Sequence, residues 1–275
     1  MEPEKTQEKT AEKNVVRFDE LNLSQEVQRA ITEMGYEEAS AIQAAAIPAL
    51  LAGRDVIGQA QTGTGKTAAF SIPAIEGVDG DSRDVQVLVL CPTRELAVQV
   101  SGEIQKLGKY KRGLAVVPIY GGSSYDRQFR ALERGVQIVI GTPGRVIDHM
   151  KRKTLDLSRL STIVLDEADQ MLDIGFWPDV TYIMSHTPPQ RQVLLFSATF
   201  PEQVKELAEK HMKDPQRIQI TPEQVTVEHV DQKYIAVPRE RKNELLARFI
   251  EIFNPPQLVV FCKTKHQTDR VAEVL

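Results

Sequence analysis

Two short stretches carry residue types that could do chemistry together. The first, AQTGTGKT at residues 60–67, follows the strand-like run DVIG and precedes the helical run AAFSIPAI. Between a strand and a helix, glycines let backbone amides turn towards a phosphate. Lys66 supplies the opposing charge, and Thr67 offers a hydroxyl to magnesium. The loop itself comprises Ala60, Gln61, Thr62, Gly63, Thr64 and Gly65, with Ala60 where the usual pattern has its first glycine. A ligand-free glycine turn is the alternative, but the Gly-Lys-Thr ending favours a phosphate. The second stretch, LDEADQMLDIGF at 165–176, sets Asp166, Glu167 and Asp169 within four residues. Such carboxylates repel one another, the more so as water is excluded. Either they form a solvated strand end and an acidic first turn of helix, or a cation offsets the repulsion. Downstream of a phosphate loop, the cation reading prevails. Asp166 would hold magnesium, mostly through water, and Glu167 would orient and deprotonate an attacking water. Asp169 is too far along to share that ion and would bond neighbouring segments.

Three further loops could hold phosphates. Pro92, Thr93 and Arg94 open a helix in PTREL, where free amides and a guanidinium can grip an anion. Gly121 and Gly122 follow a strand-like run and allow close backbone approach. Thr142, Pro143, Gly144 and Arg145 combine a hydroxyl, a tight turn and a second guanidinium. Each alone would be read first as a plain strand–helix loop; together they lie after strand carboxyl ends, where open α/β sheets bind ligands. In SAT, Ser197, Ala198 and Thr199 could simply cap the following helix.

The elements that must position these residues alternate. Strand candidates are DVIGQA, VQVLVL, LAVVPIY, VQIVIG, TIVLDE, QVLLFS, RIQI, KYIAV and LVVFC. Runs such as VLVL and VLLF are apolar on consecutive residues, as strands covered on both faces require. Between them lie helical stretches, TRELAVQVSGEIQKLGKY, YDRQFRALERG and PEQVKELAEKHM. In the first, Leu96, Val100, Ile104 and Leu107 share a face. This alternation predicts a doubly wound, mostly parallel α/β sheet, in which ligands bind beyond the strand carboxyl ends. All the candidate loops follow strands.

Composition narrows the setting. The 275 residues suffice for one large domain or two smaller ones, and 41% hydrophobic with 26% charged residues supports a true core. No apolar stretch approaches the ~20 residues of a membrane span, and MEPEKTQEKTAEKN has no signal-peptide core. Cys91 and Cys262 sit far apart in apolar runs. That argues against a disulfide framework or a zinc site and points to a reducing, cytoplasmic compartment. The net charge of −4 argues weakly against nucleic acid, although a local basic stripe suffices for phosphate contacts.

Residues 1–14 have almost nothing to bury and are expected to form a disordered tail. A main domain is expected over 15–220, and a polar, proline-containing linker over 221–238. The remainder, 239–275, offers a helix, one strand and part of another helix. That is too little for an independent core, and the sequence stops at Leu275 inside a helical pattern.

DEAD at 166–169, taken with AQTGTGKT, PTRELAVQ (92–99), TPGR (142–145) and SAT (197–199) in this order, resembles the DEAD-box RNA helicases. The resemblance runs from Phe18 to Leu275. It implies a RecA-like, P-loop NTPase fold followed by the truncated start of a second RecA-like domain, with ATP and Mg2+ as cofactors. It further implies RNA as a partner held by its backbone, so that binding ignores base sequence. GYEEASAIQ (35–43) resembles the adenine-reading segment, with Gln43 for the amide that reads the base edge and Phe18 for the aromatic that stacks on it. Ala39-Ser40-Ala41 replaces the usual Pro-Thr-Pro. Asp169, Ser197, Ala198 and Thr199 would couple nucleotide state to RNA grip. The arginines that a complete second domain supplies follow its VVFC-like strand in this family, so these residues alone are expected to bind ATP and turn it over poorly. A DNA-translocating helicase is disfavoured by Gln43 and the whole motif set. A non-catalytic fragment binding RNA or protein is the alternative from another class.

Overall fold

The computed structural model describes residues 16–61, 63–220, 231 and 233–275. The expected 1–14 tail therefore lies outside the described residues, as does most of the 221–238 linker. The chain divides into two compact units, residues 1–223 and 224–275.

Among the described residues the first unit is built on seven strands: β1 Val56–Gln59, β2 Val87–Leu90, β3 Val116–Ile119, β4 Ile138–Gly141, β5 Thr162–Leu165, β6 Gln192–Ser197 and β7 Gln216–Gln219. Their order is β3-β4-β2-β5-β6-β1-β7, and every ladder is parallel. Among the described residues nine α-helices accompany them: α1 Gln25–Glu33 and α2 Ala41–Leu51 ahead of β1, then α3 Lys66–Glu76, α4 Arg94–Leu107, α5 Tyr125–Glu133, α6 Pro143–Lys151, α7 Ala168–Ile174, α8 Trp177–Ser185 and α9 Glu202–His211. The fold is the doubly wound α/β sheet that the alternation predicts.

Two apolar layers explain the consecutively apolar strands. Val87, Val89, Ile138, Ile140, Val164, Leu194 and Phe196 point to one face and pack with α1 to α4. Their sequence neighbours Leu88, Leu90, Val139, Ile163, Leu165, Val193 and Leu195 point to the other and pack with α6 to α9. A period of two sends successive side chains to opposite faces, so a sheet covered on both sides needs both registers apolar. On α4 the fully buried stripe is Ala97, Val100, Ile104 and Leu107. Leu96, expected on that stripe, is half-buried and lines a cleft instead. Gly58 on β1 is small for a packing reason, because a Cβ there would run into the Phe196 ring.

In the second unit, a short turn at Arg239–Arg241 leads into α10 Lys242–Phe253, and α11 spans Lys265–Val274. The helices match the periodicity. The strands expected at KYIAV and LVVFC do not form: residues 233–237 and 258–262 have no strand assignment. β-branched and aromatic composition favours a strand only where a neighbour completes the ladder. Among the described residues no strand pairs with either segment.

Candidate functional site

Sheet order sorts the candidate loops into two groups. The phosphate loop follows β1, the acidic segment follows β5 and SAT follows β6, and these strands are adjacent as β5-β6-β1. PTREL follows β2, the glycine pair follows β3 and TPGR follows β4, adjacent as β3-β4-β2. All six lie at strand carboxyl ends, and β2 and β5 are direct neighbours. The sequence alone could not supply this division.

In the first group, Gly63, Gly65, Lys66, Thr67, Leu96, Gln99, Glu103, Asp166 and Glu167 line a cleft of about 330 Å³. Gly63 and Gly65 have φ of +81° and +89°, the left-handed region where a side chain is disfavoured. At Gly65 the need is double, since a Cβ would also collide with the Gln43 amide. Ala60 is accommodated where a glycine is usual. Its amide donates to the Ser197 carbonyl (3.2 Å) and its methyl is buried in the core. Thr64 Oγ1 donates to the Gln61 carbonyl (2.8 Å), and Thr62 lies outside the described residues.

Lys66 begins α3 and is 6% exposed, and its Nζ has no partner among the described residues. Asp166, 3% exposed, leaves Oδ1 equally unpaired. Burial pushes the Asp166 carboxyl up to about 7; Lys66 pulls it down, while Glu167 and Glu103 push it further up. A buried ammonium and a buried carboxylate oxygen without partners are costly, and they fit a ligand carrying both an anion and a cation. Among the described residues no three His, Cys, Asp or Glu side chains converge as a metal cage. A magnesium ion here would therefore take Asp166, Thr67, water and phosphate oxygens. Glu167 holds φ +54°, ψ +53° at the start of α7. A non-glycine residue in that conformation stores strain of order 1–3 kcal/mol, as functional sites often do. Glu103, raised by burial, was not foreseen; only the fold brings α4 to this cleft. Cys91 is buried beside it, with its thiol raised by burial and by Asp166 and Glu167, which keeps it inert.

Gln43 and Ser40 brace the loop from below. Gln43 Oε1 accepts from the Ser40 amide (2.8 Å), Gln43 Nε2 donates to the Gly65 carbonyl (3.1 Å), and Ser40 Oγ donates to the Thr64 carbonyl (2.8 Å). The hydroxyl kept in Ala39-Ser40-Ala41 thus has a local task. Phe18 is 2% exposed and stacks on Tyr36 at 6.1 Å, so stacking on a base requires that packing to open.

Asp169 joins the two segments beside the cleft. Its amide donates to Ser197 Oγ (3.1 Å), and its carboxylate accepts from the Thr199 amide and hydroxyl, both at 2.9 Å. Burial raises the Asp169 carboxyl, but the bonds from Thr199 and Ser197 outweigh it and lower the pKa. Gln59 Nε2 adds a bond to the Ala198 carbonyl (3.2 Å).

In the second group the loops converge. Arg94 is exposed and lies over the Tyr120 ring at 5.1 Å, and its Nη1 is 3.8 Å from where a Gly122 Cβ would stand. Gly122 has φ +75° and Gly121 is exposed beside it. Thr93 Oγ1 accepts from the Leu96 amide (3.2 Å), so its hydroxyl caps α4, and Pro92 is buried. Thr142 precedes α6 without a side-chain cap, Pro143 occupies its first position, and Gly144 is exposed. Arg145 Nη1 reaches the Ser123 carbonyl (3.5 Å) and Gln128 Oε1 (3.0 Å).

Gln128 and His149, which sequence reading missed, hold Arg145 in place. Gln128 Nε2 donates to the Tyr120 carbonyl (3.0 Å), so its Oε1 faces both Arg145 and His149 Nε2 (3.2 Å). That oxygen only accepts, which fixes His149 as the Nε2–H tautomer. His149 Nδ1 lies 2.8 Å from Thr154 Oγ1, and its ring stacks on Tyr125 at 4.5 Å. Burial first, and Arg145 next, lower the His149 pKa to about 4. A polar residue once per turn on α5 and α6 would have been the only sequence signal.

A fold of this kind occurs in known proteins. The DEAD/DEAH box helicase family model matches residues 40–207. The DEAD-box ATP-dependent RNA helicase CshA of Geobacillus kaustophilus is 50% identical over 258 residues, which is 94% of this chain and 55% of that protein. The protein of the same name from Bacillus subtilis is 46% identical over 260 residues, 94% of this chain and 52% of that one. The chain thus spans about half the length of the curated relatives it matches. The crystal structure of a DEAD box protein from the hyperthermophile Methanococcus jannaschii superposes with a TM-score of 0.72 at 39% identity, covering 94% of this chain and 69% of that one. With the matched region spanning the phosphate loop, the acidic segment and SAT, this chain belongs to the DEAD/DEAH box helicase family.

Proposed function

We propose that the chain provides the ATP-binding surface, and part of the RNA-gripping surface, of an ATP-dependent RNA helicase. In this reading 15–220 is a RecA-like ATP-binding domain, 221–238 a linker, and 239–275 belongs to a second RecA-like domain. One observation carries it: Lys66 Nζ and Asp166 Oδ1, without partners among the described residues, share a cleft with Glu167, and Asp169 ties that cleft's acidic segment to SAT. A bound Mg2+–ATP would supply the phosphoryl group and the charge that this cleft lacks. Lys66 and the loop amides would hold phosphate oxygens, Asp166 and Thr67 would hold magnesium, and Glu167 would take a proton from water. Arg94, Arg145 and the glycine pair would grip RNA phosphates without reading bases. The free thiols of Cys91 and Cys262 are consistent with a cytoplasmic location, and no described helix is long and apolar enough to cross a membrane.

Base selectivity tests the ATP half. We expect ATP to bind more tightly than GTP, and Gln43→Ala to narrow the gap, because a site built to pair one base edge rejects others. Because Gln43 also braces Gly65, its loss should weaken both nucleotides. If the two fall in equal proportion, or if the unmodified chain does not discriminate, Gln43 only supports the loop.

Salt-dependent RNA binding tests the other half. Arg94→Ala and Arg145→Ala should each weaken binding about equally for unrelated sequences, and each should make the salt dependence shallower by about 0.7. A base preference that vanishes in either variant would mean direct readout and would overturn backbone gripping. Phosphate release with Glu167→Gln as the blank measures turnover.

A further inference from the structure

Helix α5 has an unusual division of labour. Tyr125, Gln128 and Leu132, spaced at i, i+3 and i+7, anchor it. Tyr125 stacks on His149, Gln128 is the one buried residue of the helix, and Leu132 packs on the core. Arg127, Arg130 and Arg134 repeat the same spacing two residues later. At ~100° per residue this places them on the opposite side of the helix, away from the sheet. All three are exposed, and none has a salt bridge or side-chain hydrogen bond to a described residue. With Ser124, Ala131 and Asp126 they line a groove of about 460 Å³. Helices elsewhere in this acidic chain pair exposed arginines locally, as Arg152 does with Asp148 and Arg248 with Glu244. Asp126 and Glu133 lie on the same helix, yet among the described residues neither forms a salt bridge with these three guanidiniums.

Position gives the stripe its meaning. Gly121, Gly122 and Ser123 lead directly into α5, and Arg145 bonds the Ser123 carbonyl. The arginine stripe therefore starts where the proposed backbone grip ends and continues for about 10 Å, at ~1.5 Å per residue. Three guanidiniums along that length can meet up to three phosphates of one strand, one each.

We propose that Arg127, Arg130 and Arg134 form a second backbone-binding strip, which holds the RNA strand where it leaves the Arg94–Gly122–Arg145 cluster. The proposal rests on the RNA reading of that cluster. It extends the footprint of the domain by about three phosphates, without base contacts. The phosphate backbone is the occupant that charge complementarity and continuity with the cluster favour. An acidic protein segment is the competing occupant.

The test uses the whole 275-residue chain with Arg127→Gln, Arg130→Gln and Arg134→Gln combined, beside a triple arginine-to-lysine control. Affinities would be measured for long (about 20 nucleotides) and short (about 6 nucleotides) RNAs of unrelated sequence, over a salt series. Expected are a loss of about tenfold or more for long RNA, a salt slope shallower by about 2, and short-RNA and ADP affinities unchanged. The lysine control should retain most of the long-RNA affinity. Unchanged long-RNA binding, or an equal loss for short RNA, would overturn the strip. Binding of polyglutamate that disappears in the glutamine variant, with RNA binding intact, would overturn it in favour of an acidic protein partner. Arg94→Ala and Arg145→Ala are measured in parallel on short RNA. If they are silent while the stripe variant still loses long RNA, the cluster reading fails and the strip stands as a separate site.

Discussion

Lys66→Ala should weaken ATP and ADP binding by about 100-fold or more while leaving the protein folded. The Nζ of Lys66 is buried with no partner among the described residues, so without ligand its desolvation is not offset by a bond to any of them. Against a phosphate that ammonium makes a charge-assisted bond in a site largely closed to water, worth about 1.5–3 kcal/mol before longer-range attraction is added. Alanine is the best helix former and fits the first position of α3, so the variant should unfold no more readily than the parent. Removing the cation has a second consequence. Lys66 holds the Asp166 carboxyl down against burial, so in the variant Asp166 should favour its neutral form still more and become a poorer magnesium ligand. Isothermal titration with ADP, with and without magnesium, reads both effects. A folded Lys66→Ala chain with unchanged nucleotide affinity would remove the phosphate-loop assignment altogether.

Acid should loosen the second group of loops through one residue. His149 is fully buried and its pKa is lowered to about 4, by burial first and then by Arg145. The unfolded chain takes up a proton near the ordinary value of ~6.5, whereas the folded chain resists until about 4. Between those pH values the unfolded state binds more protons, so stability is fully present above ~6.5 and is lost as pH falls. By pH 5 the loss from this residue alone is on the order of 2 kcal/mol. His149→Gln keeps a donor for Gln128 Oε1 and cannot titrate. Urea unfolding at pH 7.5 and pH 5 should show the variant losing about 2 kcal/mol less than the parent. Equal losses in the two proteins would mean that His149 is not the acid-sensitive element.

Much of the site was legible before any fold was known, because its chemistry is local in sequence. A phosphate loop needs consecutive amides, a lysine and a hydroxyl within a few residues, so AQTGTGKT can be read as a string. The same holds for carboxylates clustered after an apolar strand, and the consecutively apolar VLVL and VLLF fixed a sheet covered on both faces. Where strand propensity had no partner to pair with, at KYIAV and LVVFC, composition misled: a ladder is a contact between segments, which no single segment encodes. The tertiary structure alone decided what depends on strand order. It placed β1, β5 and β6 side by side and β2, β3 and β4 side by side, parting the phosphate and acid loops from the arginine loops. It carried Glu103 on α4 to the nucleotide cleft. It set Gln128 and His149, from α5 and α6, around a single guanidinium. Those contacts join residues tens of positions apart, and their geometry exists only once the sheet has ordered its strands.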